Sequence, residues 1–405
     1  MSGGRWTATA ADLIAHLDRL RRLAKKRRGK MRPAVIRPYV GFGTTQRLFL
    51  RGRVIEDPRI GGVSPAAAHW QNLLTMLKRY QSDEIPRAVV RARHGEHERM
   101  IETDDEGYFE ISMPGLPPPV GQVDTGWRSI ELELVDPLAR HEKPARALGK
   151  VMVPSDDATF GVISDIDDTI VKTGATNLMR HLRTVLLNSA ATRTPFIGVS
   201  AFYRALACGQ SDEQVNPIFY VSSSPWNLFD LFQDYLCLQD IPDGPIILRD
   251  FALEPGGWFK VGHDEHKTGA IEGLLAQYPE LEWILIGDSG QRDAVIYRGI
   301  VERHPGRVLA VYMRDVSVQT PHCEALKAAE DIASLGPQVV FDPQTLAAAR
   351  NAAEYGWIRG SATPSPVGIS RLFSPTPSVV IRPASTPPAT IASATASARR
   401  SEGRG

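Results

Sequence analysis

From Phe160 onward, short apolar runs alternate with segments of helical pattern, and this alternation limits the possible folds more than any other feature. The runs read FGVISD, IFYVSSSP, WILIGDSGQRD and VLAVYMRD. Nearly continuous apolar strands followed by helices are typical of a parallel sheet that is covered on both faces. We therefore predict a doubly wound α/β domain whose ligands lie at the carboxyl ends of the strands.

Three further segments flank this domain, which we place at residues 156–345. Residues 35–155 show strand-like alternation with Gly, Pro and Asp turns, which predicts a smaller β-sandwich-like domain. Residues 1–34 combine leucines at helical spacing with a dense Lys/Arg run, which predicts a basic amphipathic helix. Residues 346–405 are rich in Pro, Ser, Thr and Ala, and we expect this extension to be largely disordered.

The basic helix has three interpretations. It can contact an anionic membrane, because its basic residues attract lipid headgroups while its leucines enter the interface. It can equally pack on its own protein with a solvated charged face. Nucleic acid is a third partner, but the segment lacks interleaved aromatic residues, and we expect no nucleic-acid binding.

The composition favours a globular protein. Of the 405 residues, 47 are Lys or Arg, 46 are Asp or Glu, and 42% are hydrophobic, which suffices for the cores of two domains. The widely spaced Cys208, Cys237 and Cys323 argue against a disulfide framework and a zinc site. The sequence shows no signal-peptide pattern and no apolar stretch of about 18 residues. We expect a cytoplasmic protein, with peripheral membrane contact as an open alternative.

Acidic residues gather where two of the predicted strands end. Asp165, Asp167 and Asp168 follow the first strand, and Asp288 and Asp293 follow a later one. Because the carboxyl ends of parallel strands share one edge of a sheet, these side chains should lie close together. Mg²⁺ is the natural partner, since it takes carboxylate and phosphate oxygens. Pairing with Lys or Arg alone is the competing interpretation.

The residues at these strand ends resemble the four motifs of the haloacid dehalogenase-type phosphatases, in the order typical of that superfamily. Motif one is DxDx[TV] after an apolar strand, and motif two is a Ser or Thr that closes a strand. Motif three is a Lys that opens a helix, and motif four is GDxxxxD. The matching residues are Asp165, Asp167 and Thr169, then Ser222, then Lys267, then Asp288 and Asp293.

The resemblance implies a catalytic or binding role for five of the residues. Asp165 would be the nucleophile that forms an aspartyl-phosphate, and Asp167 would protonate the leaving alkoxide and then activate water. Lys267 would neutralise the nucleophile and a phosphate oxygen. Ser222 and the backbone N–H of Ser223 would hold another phosphate oxygen.

The resemblance also implies a Mg²⁺ cofactor. Its ligands would come from Asp165, the backbone carbonyl of Asp167, and Asp288. Asp293 would lie in or beside this set, where it is also able to hold Lys267.

Other polar residues near the motifs have structural interpretations. Asp168 is assigned to a turn or a helix cap. His263 and His266 are assigned to a loop beside the lysine, because the other motifs already account for the metal. Arg249 and Arg292 either reach a phosphate or pair with local acids.

The likeness extends to one group within the superfamily. The stretches SDIDDTI, FYVSSSPWNLFD, HKTGAIEGLL and IGDSGQRD are similar to the actin-patch-protein phosphatidate phosphatases, and the likeness covers about residues 35–345. This implies Mg²⁺-dependent removal of phosphate from phosphatidate to give diacylglycerol. Two alternatives stay open, namely a soluble phosphomonoester as substrate and a binding module with vestigial activity.

Overall fold

A computed structural model describes several parts of the chain. They are residues 33–57, 84–117, 126–137, 144–166, 198–249, 263–289, 292–315, 323–343, 345–360 and 379–381. All but the last two residues of the predicted basic helix lie outside these ranges, as does most of the C-terminal extension. Both predictions therefore stay sequence-based.

Eight strands of the described chain form the β-rich region, because apolar side chains recur at every second position along them. In Arg47–Glu56, for example, Leu48, Leu50 and Val54 are buried, while Phe49, Arg51 and Arg53 are more exposed. The strands are β1 (Ala34–Pro38), β2 (Gly41–Gly43), β3 (Arg47–Glu56), β4 (Val89–His94), β5 (His97–Glu102), β6 (Tyr108–Pro114), β7 (Trp127–Asp136) and β8 (Arg146–Met152).

The strands of the β-rich region form one hydrogen-bonded sheet. Their order is β1-β3-β2-β8-β7-β4-β5, with β6 paired to β3. Val90 of β4 and Ile111 of β6 belong to the same buried cluster, so the sheet curves around a single core. The two separate sheets of the predicted sandwich are not seen among the described strands. Alternation predicts which face of a strand is buried, but it does not determine whether the strands divide into two sheets.

The predicted parallel sheet is confirmed in the α/β region. Its strands are β9 (Gly161–Asp165), β10 (Ile218–Pro225), β11 (Ile246–Arg249), β12 (Trp283–Asp288), β13 (Val308–Arg314), β14 (Gln338–Asp342) and β15 (Val379–Ile381). They lie in the order β11-β10-β9-β12-β13-β14-β15. Neighbouring strands are parallel from β11 to β14, and β15 is antiparallel to β14.

Helices cover both faces of this sheet, as a doubly wound fold requires. They are α1 (Val199–Cys208), α2 (Phe229–Leu238), α3 (His263–Gln277), α4 (Asp293–Arg303), α5 (Cys323–Ser334) and α6 (Thr345–Glu354). Alternation along β9 places Val162 in a buried cluster with residues of α1, α2 and α6. The next residue, Ile163, lies in a second cluster with residues of α3, α4 and α5.

The α/β region extends beyond the boundary predicted at residue 345. Helix α6 begins at Thr345 and buries Ala348, Ala349 and Ala352. Alanine has the highest helix propensity, and its small side chain allows close packing, so an Ala-rich stretch that resembles the extension in composition still folds. Strand β15 then adds an antiparallel edge next to β14.

Two expectations about covalent and membrane features can be compared with the structure. Cys208, Cys237 and Cys323 are free thiols. Within the described parts of the chain, no helix is both long enough and apolar enough to cross a lipid bilayer.

Candidate active site

The first α/β strand lies where the chain changes direction across the sheet. β10 and β11 extend the sheet on one side of β9, whereas β12, β13 and β14 extend it on the other. In open α/β sheets, ligands bind at such a switch point, beyond the carboxyl ends of the strands. Asp165 is the last residue of β9, and Asp288 is the last residue of the neighbouring β12. The fold thus brings both predicted carboxylates to one crevice.

Three carboxylates meet at this crevice. Oxygen atoms of Asp165, Asp288 and Asp293 all lie within 4.8 Å of one another. The side chains of Asp165 and Asp293 are only 3% and 0% exposed, and Asp288 is buried as well. Like charges that are buried this close together repel one another, so their ionised forms need a nearby cation.

Lys267 supplies one positive charge to the cluster. Its Nζ lies 2.6 Å from Asp165 Oδ1 and 2.8 Å from Asp293 Oδ1, and its side chain is almost fully buried. The backbone N–H of Asp288 donates to Asp293 Oδ2 at 3.4 Å. Asp293 therefore connects the lysine to the end of β12. One ammonium among three carboxylates leaves a net negative group of oxygen donors, of the kind that hard divalent cations take.

Tyr297 of α4 shows the electrostatic effect of the cluster. Its hydroxyl donates to the carbonyl of Ile286 at 2.8 Å. Burial holds the pKa of Tyr297 well above its ordinary value, and the charges of Asp293, Asp165 and Asp288 raise it further. The tyrosine is therefore a neutral donor beside the carboxylates and does not add to their negative charge.

The predicted helix start at Lys267 is one turn too late. Helix α3 begins at His263. Acidic residues in its first turn stabilise this start, because their negative charges interact favourably with the positive N-terminal end of the helix dipole. His263 and His266, which were expected in a loop, are therefore both helical. Arg292 Nη1 lies 2.7 Å from Asp264 Oδ2. Of the two interpretations of Arg292, the structure shows pairing with a local acid.

Ser222 lies at the same sheet edge as the carboxylates. It follows Val221, which pairs with Asp165 across β10 and β9. Ser222 is fully buried, and its Oγ accepts a bond from the backbone N–H of Ser224 at 2.9 Å. Such a bond is typical of a serine that bends the local backbone. Ser223, between them, is half-buried.

Three residues of the first motif cannot be compared with the structure. Asp167, Asp168 and Thr169 lie outside the described residues. The acid–base role and the metal contact predicted for Asp167 remain sequence-based, and so does the turn predicted at Asp168.

A tyrosine that the sequence does not single out reaches the end of β9. The hydroxyl of Tyr203, from α1, lies 2.7 Å from Ser164 Oγ, and Ser164 Oγ donates to the carbonyl of Asp165 at 3.0 Å. Burial raises the pKa of Tyr203 to about 12, and it is the neutral phenol that donates to Ser164. The contact joins residues 39 positions apart, and no local sequence pattern predicts it.

A cavity of about 110 Å³ opens beside Asp165 and Asp288 on the face of the sheet that α1 covers. Its wall is mainly aromatic and aliphatic, and Arg314 at the end of β13 is the basic residue among its described lining. The carboxylates of the crevice therefore lie next to a cavity with a mainly apolar wall.

Comparison with known proteins agrees with this geometry. Residues 160–315 match the family model described as "Phosphatidate phosphatase APP1, catalytic domain". This part of the chain belongs to that catalytic-domain family. The matched segment contains the carboxylates, the serines and the lysine of the crevice, and the predicted resemblance to the phosphatidate phosphatases is confirmed for residues 160–315.

Two relatives extend the comparison. A phosphatidate phosphatase of Saccharomyces cerevisiae is 33% identical over 156 residues, which are 38% of this chain and 26% of that protein. An uncharacterized protein of Schizosaccharomyces pombe is 26% identical over 281 residues, 66% of this chain and 43% of that protein. The chain thus matches less than half the length of each relative.

Among solved structures, a carbohydrate acetylesterase from Xanthomonas citri aligns with 72% of this chain and 71% of its own length. It is 9% identical with a TM-score of 0.24, which is too low to bear on the fold.

Proposed function

We propose that the chain is a Mg²⁺-dependent phosphatase that hydrolyses phosphatidate to diacylglycerol and phosphate. The observation that carries the proposal is the buried cluster in which Lys267 forms ion pairs with Asp165 at 2.6 Å and with Asp293 at 2.8 Å. It lies inside a segment that matches a phosphatidate phosphatase catalytic domain. The S. cerevisiae relative, which is named as a phosphatidate phosphatase, supports the lipid substrate.

Asp165 is the nucleophile of the proposed reaction. Its carboxylate oxygen attacks phosphorus, a new oxygen–phosphorus bond replaces the bond to the alkoxide, and an aspartyl-phosphate results. Lys267, 2.6 Å from that carboxylate, orients it and offers positive charge to the phosphate oxygens as negative charge develops on them. Water then cleaves the aspartyl-phosphate, which restores Asp165 and releases phosphate.

Proton transfer is assigned to Asp167 because the resemblance to the haloacid dehalogenase-type phosphatases implies this role for the second aspartate of motif one. It gives a proton to the leaving alkoxide and later takes one from the attacking water, so its carboxyl group returns to its starting state. Ser222 and the backbone N–H of Ser223 donate to phosphate oxygens at the same sheet edge.

Asp165, Asp288 and the backbone carbonyl of Asp167 would hold the Mg²⁺. A bound Mg²⁺ supplies positive charge to the phosphate and to the developing alkoxide. Asp293 was predicted in or beside this ligand set, and its two oxygens accept bonds from Lys267 and from the N–H of Asp288. We therefore assign Asp293 to positioning the lysine.

The cavity beside Asp165 suits an apolar leaving group. Three tyrosines in its wall already use their hydroxyls within the protein. Tyr203 bonds Ser164 Oγ, Tyr220 donates to the carbonyl of Pro242 at 2.8 Å, and Tyr312 donates to Asn351 Oδ1 at 3.0 Å. The wall therefore presents rings more than free hydroxyls, which disfavours a sugar in this cavity.

Membrane contact follows from the substrate. Phosphatidate lies in a bilayer, and a protein that hydrolyses it must reach the headgroup. The basic segment between Arg19 and Arg32 is the proposed contact with anionic lipid, and the cytoplasm is the proposed location.

A comparison of substrates tests this proposal. Wild-type protein with Mg²⁺ should release phosphate faster from phosphatidate in mixed micelles than from p-nitrophenyl phosphate, and EDTA should abolish both activities. Asp165→Asn should lose about 10³-fold or more of the activity. Asp331→Asn is the matched control, because Asp331 pairs with Arg298 on the surface at 3.1 Å, and it should keep the wild-type rate.

Two outcomes would support the alternatives. A faster rate on the soluble ester would indicate a soluble phosphomonoester substrate. Absence of hydrolysis of either ester, with no difference between wild type and Asp165→Asn, would indicate a binding module with vestigial activity.

A further inference from the structure

The β-rich region contacts β10, the strand that carries Ser222, ahead of the serine. The ring of Phe42, from β2, lies 5.8 Å from the ring of Phe219 at an angle of 83°. Phe219 lies on β10 before Ser222 and is itself fully buried. Nearby, the hydroxyl of Tyr278 donates to the carbonyl of Gly43 at 3.1 Å. This part of the interface therefore fixes the start of β10 against β2.

The β-rich region also contacts the chain just after the serines. Trp226 begins the 3₁₀ turn Trp226–Leu228 that follows β10. The ring of Tyr39 stacks on Trp226 at 5.6 Å and 4°, and on Phe229 at 3.9 Å and 20°. The guanidinium of Arg51, from β3, lies 4.4 Å from the centre of a Trp226 ring. Stacked and cation–π contacts of this kind depend on ring position, so they restrict where Trp226 can lie.

These contacts belong to the protein core and not to a loosely docked surface. Tyr39 and Tyr108 are 4% and 6% exposed and lie in the same buried cluster as Phe229 and Phe232 of α2. A large apolar interface holds two regions in one arrangement, whereas small polar interfaces allow them to move. The stretch of chain with the three serines is thus fixed on both sides by the β-rich region.

We propose that the β-rich region positions the phosphate-contacting serines by holding β10 at Phe219 and the following turn at Trp226. This inference rests on the proposed phosphatase function. Donors to a transferring phosphoryl group contribute fully only when they are held within a few tenths of an ångström of their place. Tyr39, Phe42 and Arg51 are then positioning residues that act through the chain around Ser222.

Phosphate binding tests the inference without reference to the lipid. The dissociation constant of inorganic phosphate is measured by calorimetry with Mg²⁺ on the full chain, together with KM and kcat for p-nitrophenyl phosphate. Tyr39→Leu should raise the phosphate dissociation constant and KM by about 3- to 30-fold. Tyr39→Phe keeps the stacked ring and should stay within about twofold of wild type.

A matched control separates positioning from stability. Ile130 is 0% exposed and lies in the core of the β-rich region alone. Ile130→Ala should lower the melting temperature and yet keep the phosphate affinity within about twofold, when all variants are assayed at a temperature where circular dichroism shows them folded. Phe42→Leu provides a second, independent variant on the other side of the serines and should weaken phosphate binding as Tyr39→Leu does.

Two results would overturn the inference. One is wild-type phosphate affinity in both Tyr39→Leu and Phe42→Leu. The other is an equal loss in Ile130→Ala, which would reduce the role of the β-rich region to stability alone. If the phosphate affinities change as expected but phosphatidate is not hydrolysed, only the proposed lipid substrate fails.

Discussion

At the scale of single residues, Asp293 has the most constrained place in the crevice. It is fully buried, one of its oxygens accepts from Lys267, and the other accepts from the backbone of Asp288. Lys267 in turn bonds Asp165. The position of Asp165, the proposed nucleophile, therefore depends on Asp293 through Lys267.

We predict that Asp293→Asn lowers kcat about 10- to 100-fold with little change in KM, because a neutral amide holds the ammonium of Lys267 less firmly. Steady-state kinetics on p-nitrophenyl phosphate with Mg²⁺ would measure this. Asp331→Asn, which removes a carboxylate from a surface ion pair, should change kcat by less than about twofold. A variant of Asp293 with wild-type kcat would mean that Asp165 alone is enough to place the lysine.

At the scale of elements, the ring of Trp283 on β12 covers a glycine of β9 and leaves no free space for a side chain there. A Cβ on Gly161 would lie 2.4 Å from the ring of Trp283, which is fully buried. Gly273 on α3 is the opposite case, because a Cβ there meets nothing within 4 Å. Glycine inside a helix is also less favourable than alanine.

Alanine substitutions at these two glycines should change the free energy of unfolding in opposite directions. Gly161→Ala should lower the free energy of unfolding by about 1–3 kcal/mol, since the core must move to admit a methyl group. Gly273→Ala should raise it by about 0.5–1 kcal/mol. Urea titrations followed by circular dichroism would measure both. Equal stability of the two variants would contradict the close packing of β9 against Trp283.

The elements also show what the sequence predicts and what it does not. The strands that end in Asp165 and Asp288 were predictable, because a strand buried on both faces reads as a nearly continuous apolar run. The approach of Asp288 to Asp165 was predictable as well, because strand ends share an edge. The start of α3 was not predictable from the lysine motif. Its first turn is stabilised by Asp264 and Glu265, which are not part of that motif.

Contacts between distant segments had no sequence signal. Tyr203 reaches Ser164 only because α1 packs on the face of the sheet that Ser164 joins, and a tyrosine in a helix is most often an ordinary core residue. The single curved sheet of the β-rich region was not predictable for a similar reason. Strand pairing between distant segments depends on the closure of the whole core.

At the scale of the whole molecule, the two regions share their buried clusters. Met152, the last residue of β8, lies in the cluster that contains Ile163 and Trp283, with Phe42 and Trp127 packed against it. Tyr39 joins the cluster on the opposite face of the α/β sheet. Regions that share a core lose part of it when either unfolds.

We therefore predict that the molecule unfolds in one cooperative transition. Calorimetry should give a calorimetric enthalpy close to the van't Hoff enthalpy. Ile130→Ala, in the core of the β-rich region alone, should cost about 2–5 kcal/mol. Because the loss would apply to the whole unit, it should speed amide exchange in β13 of the other region to a similar extent. The contrary result would be two transitions, of which Ile130→Ala moves only one, with amide exchange in β13 as in wild type. The two regions would then be independent domains, and contacts such as that of Tyr39 with Trp226 would be too weak to couple them.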